Sequence, residues 1–343
     1  WGGFNVTEGG GDSAEVALEL MPGNKIRKYD TWHAMGQGAT TGSLVVTLEA
    51  LKEMHLTPED IQLIQNDTKT CPDTGMAGAS RSLYMDGNAT IIAANKLLAA
   101  MRKEDGTLRT YDEMKAEGIE TKYLGRYETN TTPGLCRLDP NTGIGDPTPA
   151  FTYCLNLAEV EVDTKTGKTT VLKFTCVDFV GRIGNIDAVN GQAYSGIMHG
   201  IGFALKEDYA DVKKHANMFG AGTSYIKDVP DDINLIHIDG AISDGPFGSS
   251  GASEAFQASG HCAVLNGIYN ACGVRIHEIP ALPEKVKAGL DAIEKGEKPY
   301  EPKKYFLGSD MYEELENIKE NPVQVGTQSF YVSLDDPTAE RPF

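Results

Sequence analysis

Glu254 stands at the end of a run of small residues, Gly245-Pro246-Phe247-Gly248-Ser249-Ser250-Gly251-Ala252-Ser253, and opens an apolar helical pattern. A carboxylate in the first turn of a helix is favoured by the helix dipole, so a plain helix-end glutamate is one reading. The preceding run argues for another, because a surface glutamate has no need of it. A carboxylate facing a bound ligand does need backbone that can come close. Two further Gly-rich loops share the strand-to-helix setting. In Met35-Gly36-Gln37-Gly38 two glycines flank a glutamine, and amide N–H groups at a helix start suit an anionic or polar cofactor. In Thr74-Gly75-Met76-Ala77-Gly78-Ala79-Ser80-Arg81-Ser82 small residues clear space, hydroxyls can donate to phosphate or another polar group, and Arg81 offers a planar donor fork. Taken singly, the first loop is also an ordinary turn, and Ser80 or Ser82 an ordinary N-cap.

Other chemistries lack their residues. His33, His199 and His261 are not at ligand spacing. No nucleophile elbow, P-loop lysine motif or Rossmann fingerprint occurs. The six cysteines, Cys71, Cys136, Cys154, Cys176, Cys262 and Cys272, form no CxxC pair and no zinc or iron–sulfur spacing, so they read as scattered core thiols in a reducing, cytoplasmic compartment.

The elements that would position the loops follow from periodicity. Ala14–Leu20 alternates as a half-buried strand, Pro22-Gly23-Asn24 turns the chain, and Ile26–Trp32 returns. Leu44, Leu48 and Leu51 mark a helix between Gly38 and Met54, and Thr57-Pro58 starts another. A third runs over Ser82–Arg102. Residues 103–150 are polar and punctuated by Gly and Pro, without a clear period. Strands resume at Thr152, with Thr166-Gly167 as hairpin tip and Val171–Phe179 returning. A helix then spans Asp187–Leu205, with Asp187 as N-cap and Gly196 and Gly200 permitting close packing. Ile233–Ile238 reads as a strand, and one helix spans Glu254–Cys272, stopping at Gly273. No internal repeat stands out, and strands and helices in no strict βαβ order favour an α+β fold.

The chain has 343 residues, 40% hydrophobic and 23% charged, which fits a globular protein. No apolar run is long enough to span a membrane. With 49 acidic against 31 basic residues, the net charge of -18 argues against nucleic-acid binding. The first residue, Trp1, reads as following a cut, a processing site or a missing segment. Residues 1–293 form the binding domain, with a subdivision near 145–155. Residues 294–343 form a charged, Pro-containing tail with one helical piece around Met311–Ile318.

Four segments in order, TWHAMGQGA, GMAGASRSLYMDGNA, DGPFGSSGASEAF and YNACGVRIHEIPALPEKV, resemble the molybdopterin-binding segments of the xanthine oxidase family. The likeness is greatest to its bacterial aldehyde oxidoreductases and runs from Phe4 to about Leu290. It implies the second half of that family's molybdenum-cofactor-binding fold, mixed sheets with packed helices. It also implies molybdenum carried by molybdopterin cytosine dinucleotide, with the metal's sulfur supplied by the cofactor. By motif, Gly36, Gln37 and Gly38 would contact the pterin and its phosphate. Gly78, Ala79, Ser80, Arg81 and Ser82 would line the dinucleotide, and Gly251, Ala252 and Ser253 would pass close to the metal's ligands. Glu254 would be the catalytic base, taking a proton as water-derived oxygen is delivered to an electrophilic substrate carbon. Phe4 matches an aromatic of the substrate channel.

Two departures bear on substrate. The catalytic loop reads Gly251-Ala252-Ser253-Glu254 where the family commonly has Gly-Val-Gly-Glu. The first loop carries Met35 where the aldehyde enzymes have histidine, a form resembling purine hydroxylases. Aldehydes and N-heterocycles such as nicotinate or purines both stay open, as does a non-catalytic, cofactor-carrying scaffold. The resemblance implies partners: the complementary half of the molybdopterin-binding region, and an iron–sulfur subunit or domain with 2Fe-2S clusters, with or without FAD. The chain would then act within a hetero-oligomer, as in split enzymes such as nicotinate dehydrogenase, and would be inactive alone.

Overall fold

The computed structural model describes residues 12–65, 67–129, 150–211 and 213–297. Phe4, Cys136, the Met311–Ile318 piece and the tail beyond residue 297 lie outside the described residues.

The first lobe opens with β1 (Ser13–Met21) and β2 (Lys25–Asp30), an antiparallel pair joined by a tight turn at Pro22–Asn24. Helix α1 (Ala39–Ala50) crosses to β3 (Ile61–Gln65), which pairs parallel with β2. After the second Gly-rich loop, α2 (Ser82–Met101) covers the sheet. The short α3 (Tyr111–Ala116) and β4 (Lys122–Glu128) complete the order β3-β2-β1-β4. The second lobe repeats the plan. β5 (Tyr153–Val162) and β6 (Thr169–Phe179) are antiparallel, and α4 (Ile186–Leu205) crosses to β7 (Asp232–His237), parallel to β6. A Gly-rich loop leads to α5 (Ser253–Gln257) and α6 (Gly260–Cys272), with α7 (Pro283–Glu294) behind them.

The α+β reading therefore holds, and the topology repeats where the sequence shows no repeat. Each lobe is an antiparallel hairpin, a helical crossover, a parallel third strand and a Gly-rich loop opening a helix. Hydrophobic patterning reports each element's buried face and not the order of elements, so this duplication is invisible to periodicity.

Four local expectations are corrected. The Thr57-Pro58 start yields a single turn: Asp60 Oδ2 accepts from Thr57 N at 3.0 Å and from Thr57 Oγ1 at 2.9 Å. The short segment Ile61–Gln65 then pairs with β2 as β3. The N-cap of α4 is Asn185, whose Oδ1 accepts from Ala188 N at 3.0 Å, and Asp187 lies in the first turn. The helix expected over Glu254–Cys272 breaks at Ser259, where Asn156 of β5 donates to the Ser259 hydroxyl at 3.0 Å. Cys154 and Cys176 are buried as core thiols should be, but Cys262 is exposed.

Each lobe has its own core. In the first, Leu18, Leu20 and Ile26 of the sheet pack against Ala93, Leu97 and Met101 of α2. In the second, Phe174 and Cys176 of β6 pack with Ile197 and Ile201 of α4 and with Phe256 and Val264. A bridging cluster joins them: Val16, Tyr84, Met85 and Ala89 from the first lobe with Ile242 from the second. Tyr84 is fully buried, and a buried aromatic of that size contributes about 1.5–3 kcal/mol.

Candidate active site

The seam between the lobes opens into a cavity of about 530 Å³, in the range of small-molecule and cofactor sites. All three Gly-rich loops named from sequence reach it. Gln37 and Gly38, Gly78, Ser80 and Ser82, and Gly251 through Glu254 line its wall. Gly36, Ala79 and Arg81 do not. Phe4 lies outside the described residues.

Several side chains are placed otherwise than their types suggest. Gln37 is folded onto its own loop: its Oε1 accepts from Met35 N and its Nε2 donates to the His33 carbonyl, both at 2.6 Å. Gly38 takes φ +85, caps α1, and lies close to Ala188 of α4. Arg81 is buried and turns its fork away from the cavity. Its Nε and one terminal nitrogen donate to the two oxygens of Asp12 at 2.6 and 2.7 Å, and the carbonyls of Ser13, Thr74 and Met76 take the remaining donors. It is the clasp of the second loop and not a ligand-facing fork.

Sequence reasoning missed the fourth wall. Arg182, Gly184, Asn185 and Gln192, from the β6–α4 turn and the start of α4, line the cavity too. Gly181-Arg182-Ile183-Gly184-Asn185 has the same signature as the other three loops, a strand, glycines and a helix N-cap, and could have been found by it. Arg182 is the one cationic side chain among the described lining residues, and no ion pair engages it among the described residues. Helices α1, α2 and α4, of 12, 20 and 20 residues, all begin at this wall. The N-caps of α1 and α2 make no side-chain capping bond, so first-turn amides of both are open to a ligand. Three positive helix ends and one arginine create an anion-binding wall within a strongly acidic chain.

Glu254 also lines the cavity, exposed, in the first turn of α5. Ser80 Oγ donates to its Oε2 and accepts from its backbone N–H at 3.2 Å. The two loops meet backbone to backbone: a Cβ on Gly251 would lie 1.7 Å from the Ser80 carbonyl oxygen. Near them, the Ser250 hydroxyl is buried, lines the cavity and has no hydrogen-bond partner among the described residues. A buried polar group without a partner is costly, and a polar ligand would satisfy it. Among the described residues no group of three or more His, Cys, Asp or Glu could hold a metal ion, so a metal here would arrive with ligands of its own.

An anion-receptive wall, a buried hydroxyl, close-approach glycines and the carboxylates of Glu49 and Glu254 line a cavity that suits a large, phosphate-bearing ligand. A profile of the molybdopterin cofactor-binding domain matches residues 2–230, and the chain belongs to that family, within the xanthine oxidase group. It is 41% identical over 283 residues to the aldehyde oxidoreductase of Megalodesulfovibrio gigas, covering 82% of this chain and 31% of that protein. The crystal structure of the aldehyde oxidoreductase from Desulfovibrio desulfuricans superposes with a TM-score of 0.80 at 43% identity, covering 83% of this chain and 31% of that one. A probable hypoxanthine oxidase of Escherichia coli is 28% identical, over 76% of this chain and 29% of its own length. The chain thus spans about a third of the relatives it matches.

Proposed function

We propose that this chain is the C-terminal half of the molybdenum-cofactor region of a molybdenum hydroxylase. It would oxidise an aldehyde or an N-heterocycle carbon with oxygen from water. For an aldehyde, substrate plus water gives the acid, two protons and two electrons. The observation that carries the reading is the convergence of four Gly-rich loops on one cavity with Glu254 on its rim. The similarity to an aldehyde oxidoreductase supports the aldehyde reading, and the similarity to a hypoxanthine oxidase, with Met35 in the first loop, supports the heterocycle one.

The cavity fits the cofactor. The N-termini of α1, α2 and α4 with Arg182 would hold its phosphates, the Ser250 hydroxyl a polar edge, and Gly251 through Ser253 the end nearest the metal. We assign molybdopterin cytosine dinucleotide. When bound, the cofactor supplies the two-electron redox chemistry. Glu254 supplies the base: Ser80 occupies Oε2, which leaves Oε1 to take and hold the proton from the attacking water-derived oxygen. The substrate would approach the cofactor at Glu254. Iron–sulfur clusters, with or without FAD, and the complementary half of the cofactor region belong to partner chains or domains in a cytoplasmic hetero-oligomer. Residues 1–293 form the binding domain and residues 294–343 a tail.

The test is elemental analysis for molybdenum and iron on the purified complex, together with Glu254→Gln. We expect both metals, and loss of turnover in the variant with molybdenum retained. Absence of molybdenum from a freshly isolated complex would sink the catalytic reading and leave a scaffold.

A further inference from the structure

We propose that Ser80, from the first lobe, is the positioning residue that holds the carboxylate of Glu254, from the second. The inference rests on the reading of Glu254 as base.

Helix α5 has no cap of its own, since Ala252 at its N-cap makes no side-chain bond. Ser80 supplies one from 174 residues away. Its Oγ accepts the Glu254 N–H at 3.2 Å, as an N-cap side chain does, and passes its own proton's hydrogen bond to Glu254 Oε2. One hydroxyl therefore fixes both ends of the residue, main chain and carboxylate.

The loop that carries Ser80 is shaped to deliver it. Ala79 and Ser80 both adopt left-handed backbone, φ +53 and +47, where residues with side chains seldom go. Such conformations persist when the surroundings over-determine them. Here three contacts do so: Arg81 clasps the loop to Asp12 and three carbonyls, Gly251 rests on the Ser80 carbonyl, and Glu254 takes the hydroxyl. Of these three, the hydroxyl contact is the one that acts on the chemistry. A donor on Oε2 fixes the rotamer of the carboxylate and leaves Oε1 to accept a proton.

The experiment compares wild type, Ser80→Gly, Ser80→Ala and Glu254→Gln in the purified complex. Glycine accepts the left-handed backbone without strain, so it removes the hydroxyl while sparing the loop, whereas alanine keeps the strain. Two readouts are taken: kcat and KM separately, and the rate of carbodiimide labelling of Glu254 at one fixed pH, mapped by mass spectrometry. Labelling needs no turnover. With molybdenum content unchanged, Ser80→Gly should raise the labelling rate severalfold, as the carboxylate loses its partner, with kcat down about tenfold and KM little changed. An unchanged labelling rate in Ser80→Gly overturns the proposal. If Glu254→Gln still turns over, the base assignment fails separately, and labelling alone decides whether Ser80 holds the carboxylate.

Discussion

At Gly251 the two lobes touch with no space for a side chain, and a methyl group there would have to displace the Ser80 carbonyl. Gly251→Ala should therefore part the two loops. We expect lower molybdenum occupancy in the purified complex and a lower thermal midpoint, whereas Gly36→Ala, at a position with open space but φ +106, should alter the first loop alone. Arg81 gives a second prediction. Lysine offers one nitrogen in place of a fork satisfied on five sides, so Arg81→Lys should destabilise the fold by about 2–3 kcal/mol in denaturant titration. At this scale the sequence was a good guide to which loops form the site and a poor guide to what each residue does. Residue type showed Arg81 as a cation with a fork. Only the fold shows Asp12 brought to it from just ahead of the first strand. Glu254 was found because small residues precede it, yet its contact with Ser80 spans the chain and leaves no local signal.

Helix α4 owes its closeness to α5 and α6 to Gly196 and Gly200. A Cβ at Gly196 would lie 2.5 Å from the Phe256 Cβ, two residues beyond Glu254. Gly196→Ala should cost about 1–3 kcal/mol through overpacking and lower the melting temperature, with Glu254 displaced in the same stroke. Between β2 and α2 a charged cluster is wholly buried: Lys28 Nζ lies 2.7 Å from Asp86 and 3.4 Å from Asp30. Burial raises the Asp86 carboxyl from 3.8 to about 6, against the opposing pull of Lys28. Between those values the folded chain keeps a proton that the unfolded chain has released. The contribution of Asp86 is thus most favourable below about pH 4 and declines by about 3 kcal/mol as pH rises through 6. In unfolding measurements from pH 4 to pH 7, Asp86→Asn should lack that decline. The hairpins and long helices were legible because their apolar periods are regular. β2 was legible as a strand although Ile26, Lys28 and Asp30 share its inner face, and nothing local says that the two charges are buried. β3, α3 and β4 escaped notice because they are short and lie in polar or turn-rich sequence, and the break at Ser259 depends on Asn156 in another strand.

As a whole, the molecule is one plan used twice, with the cavity at the seam and a loop from each crossover and each third strand lining it. Family membership was readable from four ordered motifs, three of which carry the small residues of loops that line the cavity. The duplication was not, because the two halves match in topology and share little beyond Gly78-Ala79-Ser80 and Gly251-Ala252-Ser253. A ligand that touches both lobes binds only their assembled form, so it should stabilise the pair by mass action. Stripping the cofactor from the complex should lower the melting temperature and broaden or split the calorimetric transition, as two cores melt with less coupling. Two cores beneath one shared cavity, joined through the cluster around Tyr84, also give biogenesis a direction. Each lobe can collapse about its own apolar centre before anything is loaded, while Ser80 and Glu254 come together only when the lobes close. Cofactor insertion then belongs to the interval between collapse and closure, and a chaperone that delivers it would have to recognise the parted lobes.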